Sequence, residues 1–151
     1  MIPEIFQFNH ELLKVETKTV PMLNVQHAKF TVKALREEAR ELEQEFLQEG
    51  GAVIPIESGS DAERWQTVKA VDAALDAAYF AIGALARAGL TVKQAQACFA
   101  AVDTANKTKK RGVAASRGDM GVADAIKPAD FVPPEQAIYD ILFNSEIEGG
   151  E

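Results

Sequence analysis

The chain has 151 residues, 47% hydrophobic and 26% charged, which is the composition of one ordinary globular domain with enough length for a core. Its formal charge of −7 excludes broad electrostatic affinity for nucleic acid polymers or anionic membrane surfaces, but not small anionic ligands that respond to a local field. The lone cysteine, Cys98, excludes an internal disulfide. With no basic-then-apolar leader and no uninterrupted apolar span, the expected setting is cytoplasmic, without membrane contact.

In chain order, Glu4–Lys14 predicts a short helix before Pro21. From about Met22 to Glu49 the pattern is helical, with the Gly50–Gly51 pair as its expected C-cap. Ala52–Ser60, containing Pro55 and Gly59, reads as the connection. Ser60 followed by Glu63 predicts a capping box that opens a helix running to about Ala88 and stopping at Gly89. Thr91 and Gln94 repeat that signature for a helix to about Thr108. Gly112, Gly118, Gly121, Pro128, Pro133 and Pro134 then mark a loop-rich region. Pro134 is suited to begin a last helix through Leu142, and the tail from Asn144 is expected to fray.

Strand signals are scarce and no internal repeat is evident. The expected architecture is a single all-α domain over 1–151, a bundle of four to five helices with its core in about 22–142. Alanines in the second long helix, including Ala70, Ala73, Ala77 and Ala81, let neighbours approach closely, and a second subunit is expected to complete the core.

Carboxylates carry the chemical signal. At about 100° per residue, Val68, Val71, Leu75, Tyr79, Ile82 and Ala86 form an apolar arc roughly 80° wide. Asp72 is expected within that arc, with Asp76 about 60° beyond Tyr79. In the preceding helix Leu35, Ala39, Leu42 and Phe46 define the apolar stripe, flanked by Glu38 and Glu45. Glu38 and Glu41 are three residues apart and can converge on one ligand, while Glu37 lies on the far side. Glu38 lies 11 residues before Glu49 and Asp72 lies 11 after Asp61, about 17 Å along each helix from the connection. Buried carboxylates are neutralised, paired or metal-bound, so Glu38, Glu41, Asp72 and Asp76 suit one or two Mg²⁺ ions, with Mn²⁺ as an alternative. Against this stands a solvated charged helix face over Glu37–Glu45, with the aspartates paired to Lys33 or Lys69.

A cationic group follows: Asn106, Lys107, Lys109, Lys110, Arg111, Arg117 and Lys127. These side chains suit phosphate, although lysines at a helix C-terminus also simply favour its dipole. His10 and His27 lack metal-ligand spacing, and Cys98 between Ala97 and Phe99 suits a packed interior better than a nucleophile. No P-loop or dinucleotide-binding glycine pattern occurs.

Together these residues resemble the MazG-like family of all-α nucleoside triphosphate pyrophosphohydrolases, which includes dimeric dUTPases and phosphoribosyl-ATP pyrophosphohydrolases. Glu38, Ala39, Arg40 and Glu41, preceded by Glu37, are similar to its Glu-x-x-Glu element. Asp76 followed by Ala77, Ala78 and Tyr79 is similar to the end of its Glu-x-x-Asp element. The family's glutamate falls at Ala73, one residue after Asp72, which stands in as the substitute ligand. Asn106 and Lys109 resemble an Asn-x-x-Lys element, and Lys127-Pro128 with Pro133-Pro134 resembles a Lys-Pro…Pro-Pro segment, so the likeness covers about residues 25–135.

The resemblance implies a homodimer or homotetramer and Mg²⁺-dependent release of pyrophosphate from a nucleoside triphosphate, a deoxynucleotide being favoured. It implies Glu37, Glu38 and Glu41 as catalytic residues and Glu38, Glu41, Asp72 and Asp76 as metal ligands. Asn106, Lys109, Lys110 and Lys127 would bind substrate. Phosphoribosyl-ATP hydrolysis and a catalytically silent helical binding module are the alternatives.

Overall fold

The computed structural model describes residues 1–113 and 122–144. Arg117, Gly118, Gly121 and the tail expected to fray beyond Asn144 lie outside the described residues. The chain divides into two compact units, Met1–Leu90 and Thr91–Glu151.

The first unit contains α1 (Ile2–Glu11), α2 (Val25–Phe46) and α3 (Asp61–Ala88). Helix α2 starts where Asn24 accepts a hydrogen bond from the His27 amide at 2.8 Å, satisfying one of the donors left open at a helix start. It stops at Phe46, short of the expected Gly50–Gly51 cap. Those two glycines instead make the positive-φ turn that pairs Leu47 with Val53, with the Gln48 amide donating to the Ala52 carbonyl at 2.7 Å. Ser60 caps α3 by accepting from the Glu63 amide at 3.1 Å. The expected box is half formed, since the Glu63 carboxylate accepts from the Gly59 amide at 2.6 Å rather than from Ser60. Gly89, at φ 89°, ends α3 in the left-handed conformation that glycine adopts without a Cβ penalty.

Helices α2 and α3 run antiparallel. Near the connection Gln66 donates to the Glu45 carbonyl and Lys69 pairs with Glu45 at 3.4 Å. At the far end Phe30 meets Phe80 edge to face with ring centroids 6.1 Å apart. Helix α1 packs on α3 through Phe8 and Tyr79, centroids 5.5 Å apart, and buries Ile5 and Phe6 completely. Small residues (Ala34, Ala73 and Ala86) fill much of the remaining core, which draws the helix axes together.

The buried face of α2 is Thr31, Ala34 and Glu38, one position round from the expected Leu35, Ala39, Leu42, Phe46 stripe. Leu42 and Phe46 are exposed, as are Trp65, Val68, Val71 and Leu75 on α3. Of the expected stripes only Ile82 and Ala86, at the end of α3, are buried, because the close approach of the helices turns small residues rather than the large apolar ones inward.

In the second unit Thr91 and Gln94 form the complete expected capping box at the start of α4 (Val92–Lys107). The stretch read as loop contains a small antiparallel hairpin, β1 (Lys110–Gly112) with β2 (Asp124–Ile126). Its three-residue strands are too short to show alternation in sequence. The last helix is α5 (Glu135–Tyr139), continuing as a π-helical turn over Asp140–Asn144. Cys98 is buried within this unit, as a packed residue, and burial pushes its thiol pKa upward. Among the described residues no helix is long and apolar enough to cross a membrane.

Candidate functional site

Glu38 lies midway along α2 on the face turned toward α3, and only 9% of its surface remains exposed. Its Oε2 is buried without a hydrogen-bond partner. Burial pushes its carboxyl pKa above the ordinary glutamate value, and the charges of Glu41, Asp76, Glu37 and Asp72 push it further in the same direction. Those electrostatic couplings place all five carboxylates in one neighbourhood on two helices. The equal distances expected from the connection do not hold, because α2 ends at Phe46: Glu38 lies eight residues before that end and Asp72 eleven after Asp61, about 12 and 17 Å along the two helices.

The burial expected of the aspartates is not observed. Asp72 and Asp76 are both exposed. At helical spacing Asp72 lies about 20° outside the apolar arc rather than within it, and the nearby arc is itself exposed. The strain of a carboxylate taken out of water therefore falls on Glu38. Neither aspartate pairs with lysine among the described residues: Lys33 reaches Glu37 at 3.7 Å and Lys69 reaches Glu45 at 3.4 Å.

No group of three or more acidic, histidine or cysteine side chains among the described residues converges closely enough to hold an ion. Carboxylates of like charge repel one another, and the exposed ones relax into solvent when nothing cationic lies between them. The donor set nonetheless fits a hard divalent cation, because it consists of carboxylate oxygens alone and one of them is buried and unpartnered.

Asn106, Lys109, Lys110 and Lys127 belong to the second unit. Asn106 lies in the last turn of α4, and its carbonyl accepts from the Lys109 amide at 3.1 Å. Lys110 pairs with Ile126 in the hairpin, which returns the chain to Lys127. The Nζ atoms of Lys109 and Lys127 lie 5.8 and 5.0 Å from the centroid of the Phe131 ring. Two lysines distant in sequence thus share one aromatic ring.

Sequence patterning did not single out Asn9 and Arg87. Both are buried in the first unit and carry an unpartnered polar atom, Asn9 Oδ1 and Arg87 Nη1. The available signal was a polar residue one turn from Ile5 on α1 and an arginine breaking the apolar end of α3.

In comparison with known proteins, the chain matches no protein-family model and no curated protein.

Proposed function

We propose that the protein is a Mg²⁺-dependent nucleoside triphosphate pyrophosphohydrolase, acting preferentially on a deoxynucleotide. The observation that carries this reading is Glu38, a buried carboxylate with an unpartnered oxygen inside the field of four other acids. Such an arrangement opposes its own charge unless a cation joins it.

Glu38, Glu41, Asp72 and Asp76 would hold the ion, with waters and phosphate oxygens completing its coordination. Bound there, Mg²⁺, or Mn²⁺ in its place, supplies Lewis-acid polarisation of the phosphate. Glu37 or Glu41 orients the attacking water and takes its proton. The water oxygen bonds to the α-phosphorus as the α–β bridging bond breaks, giving nucleoside monophosphate and pyrophosphate. The family resemblance assigns Asn106, Lys109, Lys110 and Lys127 to substrate phosphate and sugar, where cationic donors stabilise developing charge.

The same reading includes a homodimer or homotetramer. Exposed Trp65, Val68, Val71 and Leu75 on α3, with Leu42 and Phe46 on α2, form the apolar surface that a second copy would cover.

The test is a panel of standard and damaged (d)NTPs plus phosphoribosyl-ATP, incubated with Mg²⁺ and assayed for pyrophosphate and the matching monophosphate. Turnover of a deoxynucleoside triphosphate supports the proposal, whereas turnover confined to phosphoribosyl-ATP replaces the substrate. A silent panel, together with no thermal stabilisation by Mg²⁺ and a non-hydrolysable nucleotide, leaves a helical binding module and removes the enzyme reading.

A further inference from the structure

We infer that an uncovered apolar stripe along α2 is a helix-docking surface, and that its occupant is α2 of a second copy running antiparallel. Val25, Ala28, Val32, Leu35, Ala39, Leu42 and Phe46 follow one another at alternating steps of three and four residues. That is the heptad spacing of helices that share a buried seam, sustained over three heptads and about 32 Å.

Helix α3 does not cover this stripe, because the side of α2 turned to α3 carries Thr31, Ala34 and Glu38. Val25, Val32, Leu42 and Phe46 stay exposed. Together with Lys29, Lys33 and Arg36, the first half of the stripe lines an open groove of about 420 Å³. Only another helix stays in step with a 3.5-residue repeat along such a length, each helix seating its side chains between those of the other.

The charges along α2 select that helix. Residues 25–36 carry Lys29, Lys33 and Arg36 and no acid, whereas residues 37–46 carry Glu37, Glu38, Glu41, Glu43 and Glu45 against Arg40 alone. A parallel copy would set like charge beside like. An antiparallel copy sets the basic half beside the acidic half, and two-fold symmetry makes that contact twice. A foreign helix would have to reproduce both the spacing and this reversed order of charge.

Side-chain size selects the register. With the two-fold axis level with Glu37, Phe46 meets Ala28 of the second copy, Leu42 meets Val32 and Leu35 meets Ala39, so each large side chain faces a smaller one. On the exposed flank Lys29 then faces Glu43, and the two Arg36 side chains meet at the axis with their ends in water. Sliding one copy a heptad one way sets Lys29 against Arg36 and Ala28 against Ala39. Sliding it the other way leaves Val25, Ala28 and Val32 bare. Glu38 and Glu45 stay out of the seam, the first buried toward α3 and the second paired with Lys69. This contact rests on the homo-oligomer included in the proposed function, to which Leu42 and Phe46 already belong, and not on hydrolysis.

The experiment uses the full chain with substitutions at Lys29, Arg36 and Glu43, all exposed, so that circular dichroism should be unchanged throughout. Light scattering coupled to size exclusion at micromolar concentration should give two copies or more for the wild type. Arg36→Cys, at the two-fold axis, should form a disulfide between copies under mild oxidation, with the wild type, whose Cys98 is buried, as the unlinked control. Lys29→Cys should not link to itself, because its counterpart lies about 21 Å along the helix, but should link to Glu43→Cys when the two variants are mixed. Lys29→Glu should raise the dissociation constant about tenfold, and adding Glu43→Lys should restore it. A single-chain wild type, a link at position 29 to itself, no link at position 36, or a double variant no tighter than the single one overturns the inference. Pairing through α2 without pyrophosphate release removes the enzyme reading alone. Pyrophosphate release from chains that do not pair through α2 removes this contact alone.

Discussion

Glu38 on α2 is buried while Asp76 on α3 stays exposed, and the carboxyl pKa of Glu38 is raised by its burial first, then by the charges of Glu41 and Asp76. Glu38 also lacks a hydrogen-bond partner for Oε2. Under the proposed function Glu38 and Asp76 would share a cation that offsets the repulsion between them.

Neutralising Glu38 should stabilise the metal-free protein and abolish its response to Mg²⁺. Its folded pKa is raised, so the folded state holds that proton more tightly than the unfolded chain. The resulting stability is complete below the unfolded glutamate pKa and is lost as pH rises through the folded value, leaving a penalty at neutral pH. Glu38→Gln is expected to raise the metal-free melting temperature at pH 7 by roughly 2–4 °C, the response to about 1 kcal/mol at this chain length. It should also flatten the fall in stability between acidic and neutral pH and end pyrophosphate release. Melting curves across that range, with and without Mg²⁺, measure both effects, and a lower melting temperature at pH 7 contradicts the repulsive arrangement.

Leu75→Glu places a charge in the exposed apolar arc of α3. If a second copy covers that arc, the variant should shift from dimer or tetramer to single chains while its helical circular dichroism stays unchanged. Light scattering coupled to size exclusion gives the masses directly. A wild-type protein that is already single-chained at micromolar concentration speaks against self-association.

Gly89 and Gly50 both have positive φ, but their surroundings differ. A Cβ on Gly89 would lie 2.5 Å from Lys18 Cγ, whereas one on Gly50 would meet nothing within 4 Å. Gly50→Ala should therefore cost only the backbone conformational term, about 1 kcal/mol. Gly89→Ala should cost more, about 2 kcal/mol or above, because the segment that donates the Lys18 amide to the Gly89 carbonyl must also move. Urea denaturation of the two variants side by side tests the order.

Thr91→Ala removes the hydroxyl that accepts from the Gln94 amide at 3.1 Å and should destabilise the start of α4 by about 1 kcal/mol. Faster hydrogen exchange at the Gln94 amide, with α2 unaffected, would place the loss at that cap. Unchanged exchange there would show that the box contributes nothing to the helix.

The sequence by itself determined the helices and several of their ends. Ser60 and Thr91 supply cap oxygens, Gly89 supplies the left-handed stop, and apolar periodicity spans α2 and α3, all of which are local properties. The candidate carboxylates were legible from their spacing, whereas the equal distances expected from the connection were not met, because α2 ends at Phe46. Tertiary structure decided which of them is buried: Glu38, because α2 turns Thr31 and Ala34 toward α3 and carries Glu38 with them. It also brought Lys109 and Lys127 to one phenylalanine and set Asn9 beside Gly83 and Arg87. Local propensity fixes each helix along its axis, whereas rotation about that axis is chosen only when neighbouring helices compete for close packing.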